Sequence, residues 1–523
     1  MRADRPLRPG PARSPTILLG IAVALTLVFG TWLRFHDLER MVVWHDEVFT
    51  LSRVAGFGHE EMTSDLFTGR LATPADLLAL QSPRPDRGLD ATWQALTEHP
   101  EHGPLYYLLA RFATSIVTPP LRAARGTAAA LSLLLLPALF WLTRELFGSR
   151  RAAWIVVAFA AVSPLQLLYA QEARQYGLWM ALTAWSSANL LYALRHGHRW
   201  PWALYSLSLA LGLYTHLLFL QVIAMHGLFL IWKGPRDWRG LLHTGIRPAL
   251  AVSGALVAFL PWILVMVSEL DAMSRFTDWM ALDATFGQLA ERWVLHINRV
   301  FLDLPAAESY AWVGLGIAVA GAIAFLRLSP PTPRVFLTLF VLVPVVMVVA
   351  PDLVLGGRRS LMARYLFPLF MAMQLIAGWL LDRGLSAERG LWRASAAVAL
   401  AALLTGAVMS DLVIAGAHTW WNKGFSASNA ALARQVNRAE RPLVLASPGA
   451  VSAGELISLS HRLEPHVRLF IEGFDDKIRI PQGYSDLFVL LPSPRLRTTL
   501  ETRYRLEPFR DTWQWFVAVP RSP

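Results

Sequence analysis

Two adjacent carboxylates, Asp46 and Glu47, follow Trp44 and His45 just beyond the first long apolar run of the chain. A carboxylate pair near a membrane surface is costly to desolvate, and it can hold a divalent cation or take a proton from a hydroxyl. The plainer reading is a solvated acidic loop. Further on comes His99-Pro100-Glu101-His102-Gly103-Pro104-Leu105-Tyr106-Tyr107, where two histidines flank a carboxylate. Imidazole and oxygen together suit a metal ion, while Pro and Gly here serve equally well to turn the chain into a helix. A third acidic site, Gln171-Glu172-Ala173-Arg174-Gln175-Tyr176, closes another apolar run. Neighbouring opposite charges often only pair with each other, yet ionisable groups at a span end usually face a cavity or a partner.

Basic side chains form two more groups. Arg292, His296 and Arg299 share one face at helical spacing, which would offer an imidazole and two guanidinium groups to an anion or simply line an amphipathic surface helix. Arg358, Arg359 and Arg364 crowd one short turn, and guanidinium binds phosphate in bidentate fashion. His216, in Tyr214-Thr215-His216, is a pocket-lining candidate, and His226 deeper in the same run reads as structural. The chain has no cysteine, which excludes a thiol nucleophile, a thiolate metal site and a disulfide framework. It also lacks the Gly-x-Ser-x-Gly elbow of a serine hydrolase.

These groups must be positioned by a membrane scaffold. Of the 523 residues, 54% are hydrophobic and 16% charged, against about 25% charged in soluble domains, so a soluble globular enzyme is excluded. Apolar runs near the roughly 20 residues that cross a bilayer occur at 17–33, 126–142, 152–170, 177–194, 202–213, 216–232, 248–267, 310–326, 335–350, 365–381 and 394–415. The expectation is an all-α polytopic membrane protein of about eleven transmembrane helices, the fifth being the shortest. Arg2, Arg5, Arg8 and Arg13 precede the first run, and no small-residue cleavage site follows it, so it reads as an uncleaved anchor behind a cytoplasmic basic tail, 1–16.

With that tail inside, alternate connections should be basic. They are: Arg144, Arg150 and Arg151; Arg195 and Arg199; Lys233, Arg236 and Arg239; Arg327 and Arg334; Arg383, Arg389 and Arg393. The registry requires that 104–117, with its Tyr106-Tyr107 pair, lie at the interface rather than cross. The other face then receives the first loop 34–121, the turn 171–176, the loop 268–309, the basic turn 351–364 and the tail from 416. All the candidate chemistry falls there. Topology accounts for the net charge of +11, so nucleic acid is not an expected partner. The tail 416–523 changes character, with a polar helix at 426–437 and strand-like runs at 443–446, 467–471, 487–491 and 515–519. It reads as a small C-terminal soluble α/β domain. No internal repeat is visible, which argues against an inverted-repeat transporter.

Taken together, the segment 44–52, His102-Gly103-Pro104-Leu105-Tyr106-Tyr107, the 171–176 motif, Tyr214-Thr215-His216 and Arg364-Tyr365-Leu366-Phe367-Pro368 resemble the bacterial polytopic glycosyltransferases of the GT-C superfamily. The resemblance is to the branch related to dolichyl-phosphate-mannose protein mannosyltransferases (glycosyltransferase family 39) and to the aminoarabinose and galacturonic acid transferases of lipopolysaccharide. It covers about residues 17–415, the transmembrane catalytic domain. One departure is Gly103, where the family pattern has its first proline. His296 is similar to a metal-binding histidine in a His-Ile-x-Arg stretch of the aminoarabinose transferases. The tail matches no named family.

The resemblance implies a polyprenyl-phosphate sugar as donor and an envelope glycan, lipid or protein as acceptor, joined with inversion at the extracytoplasmic face of a bacterial inner membrane. It implies that Asp46 acts as base on the acceptor hydroxyl, with Glu47 and Glu172 as further catalytic carboxylates. Arg174, Arg358, Arg364 and Tyr365 would bind the donor phosphate, and His45, Tyr106, Tyr176 and His216 would line the substrate pocket. A divalent metal (Mg, Mn or Zn) held by His102 and His296 is allowed rather than required. The competing expectations are a flippase for a lipid-linked sugar and a scaffold without catalysis, the second of which would tolerate replacement of the outer carboxylates.

Overall fold

The computed structural model describes residues 17–235, 238–473, 480–510 and 512–521; the basic tail 1–16 lies outside them. The chain forms two compact units. One comprises Met1–His36, His99–Tyr106 and Gly126–Ala415, and the other Asp37–Glu98, Tyr107–Arg125 and Gly416–Pro523.

The first unit is helical. Each of the eleven apolar runs is largely helical, some in one helix and others, such as 126–142 and 152–170, across two, but helix length does not establish eleven crossings. Among the described residues seven helices are long and apolar enough to span, and an eighth if the bent pair Arg150–Ala161 and Pro164–Ala170 is one span. Helix Arg199–Leu213 has 15 residues, about 22 Å, which falls short of a hydrocarbon core of about 30 Å. Leu105–Thr114, with 10 residues, is shorter still. Large apolar side chains point outward along these helices, among them Ile17, Val28, Val257 and Ile317, as expected where the surroundings are lipid.

The bent pair positions part of the site. It turns by 57° at Pro164, whose missing N–H leaves the carbonyl of Ala160 without its usual helical donor. Buried Arg34 supplies one. Its guanidinium donates to the carbonyls of Ala160 (3.0 Å), Ala161 (2.7 Å) and Gly30 (2.7 Å), and to Ser132 Oγ (3.2 Å). Elsewhere polar side chains join helices without lining a cavity: His226 contacts Ser187 Oγ at 3.0 Å and the Tyr205 hydroxyl at 3.1 Å.

The second unit is built on a six-stranded sheet: β1 Leu71–Ala72, β2 Pro442–Ala446, β3 Arg468–Ile471, β4 Asp486–Leu490, β5 Tyr504–Pro508 and β6 Trp515–Pro520, in the order β1-β3-β2-β4-β6-β5. β3, β2 and β4 run parallel, and the outer pairings are antiparallel. Every residue of β2 is buried, as a central strand covered on both faces must be. Leu443, Leu445, Leu487 and Val489 form a core with Leu496 and Leu500 of helix Pro494–Glu501. The tail does not build this sheet alone, because its edge strand β1 comes from the first loop.

Candidate functional site

Asp46 and Glu47 open helix His45–Ala55. Acidic residues in a first turn offset the partial positive charge of the helix start, and the Glu47 carboxylate caps the helix by accepting from the Trp44 N–H at 2.9 Å. Consecutive helical residues point about 100° apart, and here the two part company. Glu47 is fully buried. It accepts from Arg125 Nε at 2.8 Å and Nη2 at 2.7 Å, and from Lys423 Nζ at 3.2 Å. Arg125 also donates to the carbonyls of Leu38, Met41 and Val42, so the ion cluster ties the strand-like approach to the helix that carries Asp46. Glu47 therefore sits as an anchor, turned away from a cation shared with its neighbour.

Of the eleven residues in that helix, His45, Asp46 and Phe49 are the ones that are not buried. His45 is fixed from below. Its backbone N–H donates to Ser426 Oγ at 3.1 Å, Ser426 donates to Glu455 at 2.7 Å, and Asn429 donates to the other Glu455 oxygen at 2.9 Å. The imidazole Nδ1 lies 3.7 Å from Glu455 over Gly454, where a Cβ would stand 2.2 Å from Nδ1.

The helical unit holds a second group. Glu172, Arg174, Tyr176, Arg364 and Tyr365 are all buried. The guanidinium groups of Arg174 and Arg364 lie 5.6 and 5.8 Å from the centre of the Tyr176 ring, and Arg364 is also 5.3 Å from the Tyr365 ring. Two buried cations lie against one aromatic ring, and the Glu172 carboxylate stands two residues before Arg174. Such an arrangement favours a bound anion, since burial strengthens charge-assisted hydrogen bonds to phosphate. His216 stacks on Trp179 (4.8 Å, 18°) and lies 6.1 Å from Tyr176; its Nδ1 accepts from the Leu218 N–H. Gln171 donates to the carbonyls of Leu33 and His36, and Gln221 to that of Tyr365, which secures both segments.

The basic turn divides its arginines. Arg364 joins the Tyr176 group, Arg359 pairs with Asp352 at 2.9 Å, and Arg358 donates to the carbonyl of Trp279 at 2.8 Å and lies over that ring. Arg358 is thus held by the 268–309 segment.

The metal reading meets a different geometry. His296 is buried, with Nε2 against the Leu361 carbonyl at 2.9 Å and Nδ1 facing Arg299 Nη1 at 3.1 Å. Burial first, and then the Arg299 charge, depress its pKa to about 3. Both ring nitrogens are engaged, so His296 does not fit as a metal ligand. His102 and His99 approach the same Glu101 oxygen at 3.7 and 3.3 Å, on a loop seated by Trp262 donating to the Pro100 carbonyl and by Leu105 N–H donating to that of Tyr214. Among the described residues no three His, Asp or Glu side chains form a cluster that could hold a metal ion. Tyr106, in the helix Leu105–Thr114 that follows the loop, is buried.

Lys423, Arg125 and Glu455 are the residues that motif reasoning missed.

No sequence-family profile matches the chain, and no curated protein sequence does. Solved structures do. ArnT from Cupriavidus metallidurans bound to undecaprenyl phosphate superposes over 97% of this chain and 98% of its own, with a TM-score of 0.56 at 17% identity. The same protein in the apo state gives 0.56 over 96% and 98%. The Archaeoglobus fulgidus oligosaccharyltransferase in its apo form gives 0.50 over 88% of this chain and 65% of its own, at 13% identity. The chain shares the fold of these solved structures. Because the match to ArnT leaves only 3% of this chain uncovered, the tail that resembles no family in sequence lies largely within that superposition.

Proposed function

We propose that this protein is an integral-membrane glycosyltransferase that moves a sugar from a polyprenyl-phosphate donor to an envelope acceptor at the extracytoplasmic face, with inversion. The approach of Arg174 and Arg364 to Tyr176 carries the reading, because two buried guanidinium groups near one ring suit the charge of a lipid phosphate. Undecaprenyl phosphate in the ArnT structure supports the same ligand chemistry.

In this reaction the acceptor oxygen attacks the anomeric carbon while the bond from that carbon to the phosphate oxygen breaks. The transition state has oxocarbenium character, as in other glycosyl transfers. Asp46, on the accessible face of its helix, receives the acceptor proton. The lipid phosphate departs with an added negative charge, which Arg364 and Arg174 stabilise. Glu172 balances the second arginine, and Tyr365, Tyr176 and His216 shape the pocket. Glu47 holds Asp46 in place. A divalent metal would add Lewis-acid stabilisation of the phosphate; no step above depends on it.

The test is transfer from a panel of radiolabelled polyprenyl-phosphate sugars to membrane acceptors by the purified protein in lipid, with and without chelator, beside Asp46→Asn. Transfer that Asp46→Asn abolishes supports the proposal, and the chelator arm decides the metal question. Donor binding without transfer or hydrolysis would overturn it in favour of lipid-linked sugar transport or a non-catalytic scaffold.

A further inference from the structure

Beside the Tyr176 group, buried side chains carry polar atoms that phosphate binding does not use. Gln175, between Arg174 and Tyr176, is fully buried, and neither its Nε2 nor its Oε1 has a hydrogen-bond partner among the described residues. Trp179 lies one helical turn on, its backbone N–H donating to the Gln175 carbonyl at 3.0 Å, so the two side chains share a helix face. Trp179 is also fully buried, and its indole Nε1 has no partner among the described residues. Its ring stacks on His216 and lies 5.2 Å from Phe367, itself 6.1 Å from the Tyr176 ring. Gln221 donates through Nε2 to the Tyr365 carbonyl at 3.3 Å, while its Oε1 is buried and has no such partner. The Tyr365 ring stands 6.4 Å from His216. His216 adds a donor: its Nδ1 accepts from the Leu218 N–H, so the neutral ring carries its proton on Nε2. Arg174 and Arg364 both act on this imidazole electrostatically, which puts it beside the same two guanidinium groups.

We infer that Gln175, Trp179, Gln221 and His216 recognise the sugar of the donor through hydroxyl groups that both donate and accept. The inference rests on the reading of Arg174 and Arg364 as phosphate ligands and goes beyond it by assigning the residues that select the sugar. Buried polar atoms are nearly always paired in folded proteins, so several unpaired ones beside one group of rings point to an occupant. That occupant must accept from Gln175 Nε2, Trp179 Nε1 and His216 Nε2, and donate to the amide oxygens of Gln175 and Gln221. An ionised phosphate only accepts and a polyprenyl chain does neither, whereas a hydroxyl does both. Water shares that chemistry, but position favours the sugar: Gln175 is the chain neighbour of Arg174, as the sugar is the covalent neighbour of the phosphate. His216 is the partly exposed member; the others are reached by local side-chain movement, and their pairing with the sugar offsets its cost.

The test uses the full chain in lipid nanodiscs, titrated with polyprenyl phosphate and with polyprenyl-phosphate glucose, mannose, galactose and arabinose, with no acceptor present. At least one sugar-bearing lipid should bind about tenfold tighter than polyprenyl phosphate alone. Gln175→Leu, and Trp179→Phe, which keeps a ring against His216, should each remove most of that preference while polyprenyl phosphate itself binds as before. The thermal midpoint of ligand-free Gln175→Leu should hold or rise, because an apolar side chain of similar size replaces an unpaired buried amide. Equal binding of every lipid with and without its sugar, or variants that keep the preference, would overturn the inference. So would a lowered ligand-free midpoint in Gln175→Leu, which would mark the amide as paired with buried water in the resting fold. Binding of no lipid phosphate at all would overturn the donor reading along with it, whereas sugar-selective binding without transfer would sink the transferase and leave the sugar site standing.

Discussion

Arg125 grips Glu47 at two points, Nε to one carboxylate oxygen at 2.8 Å and Nη2 to the other at 2.7 Å, and neither side chain is more than 1% exposed. Lys423 adds a second cation to the same carboxylate. Removing one partner of such a buried pair strands the others, at about 3–5 kcal/mol. Glu47→Gln and Arg125→Ala should therefore lower the thermal midpoint sharply in lipid. If Glu47→Gln instead abolished donor turnover with an unchanged midpoint, Glu47 would be chemical and the anchoring role wrong.

Asp46 is expected to show the reverse. It stands on the accessible face of the same helix, so Asp46→Asn should leave the thermal midpoint at the wild-type value while kcat falls by about 10²- to 10⁴-fold, the usual worth of a general base. Single-turnover assays with saturating donor would separate this from a loss of binding.

Arg364 should act on the donor. Replacing it by Ala removes one of two guanidinium groups beside Tyr176, and charged hydrogen bonds are worth about 1.5–3 kcal/mol, so donor affinity should fall about 10- to 150-fold. Lys should restore little, because an ammonium cannot make the bidentate contact. Arg358→Ala, held at Trp279, should weaken donor binding much less. Comparable losses from both variants in donor-binding titrations would place Arg358 in the phosphate site as well.

The unit built on the six-stranded sheet should lose stability in mild acid. His461 contacts Gln81 Oε1 at 2.7 Å, and burial, followed by the charge of Arg125, depresses its pKa to about 4. In the unfolded chain an imidazole titrates near about 6.5, so the unfolded state binds the proton first as pH drops. The contribution of His461 is complete above about pH 6.5 and is lost progressively towards pH 4, up to about 3 kcal/mol. His461→Gln should flatten that part of the stability–pH curve; an unaltered slope would assign the acid sensitivity to other groups.

The membrane helices were legible because lipid demands long apolar segments with internal hydrogen bonding, and 177–194 or 394–415 can be read directly as such. β2 and β4 were legible as short apolar runs between turn residues. β1 was not, since Leu71–Ala72 carries no period and its partner Phe470 is fixed by tertiary packing. Within the site, Glu172, Arg174 and Tyr176 stand in one local motif and could be named together. The clasp on Glu47 could not, because Lys423 is 376 positions away and ion pairing leaves no periodic trace. Likewise, three arginines in one turn look equivalent until the backbone sends Arg358, Arg359 and Arg364 to Trp279, Asp352 and Tyr176.

Gly103 shows a departure from the family pattern with a local cause. A Cβ at this position would lie 2.3 Å from the carbonyl oxygen of Tyr214, the same oxygen that accepts from the Leu105 N–H at 3.0 Å. Either side chain, Ala or the Pro of the family pattern, must push the 99–105 loop off the Tyr214–His216 segment that carries His216. Gly103→Ala should then cost about 1–3 kcal/mol, the range for overpacking a filled site. Gly20→Ala is the control, since nothing lies within 4 Å of a Cβ there and Ala is the better helix former. Thermal unfolding of both variants in lipid checks the contrast. Equal midpoints would mean that the loop can yield by the needed distance, and the seat of His216 would not depend on a bare backbone at residue 103.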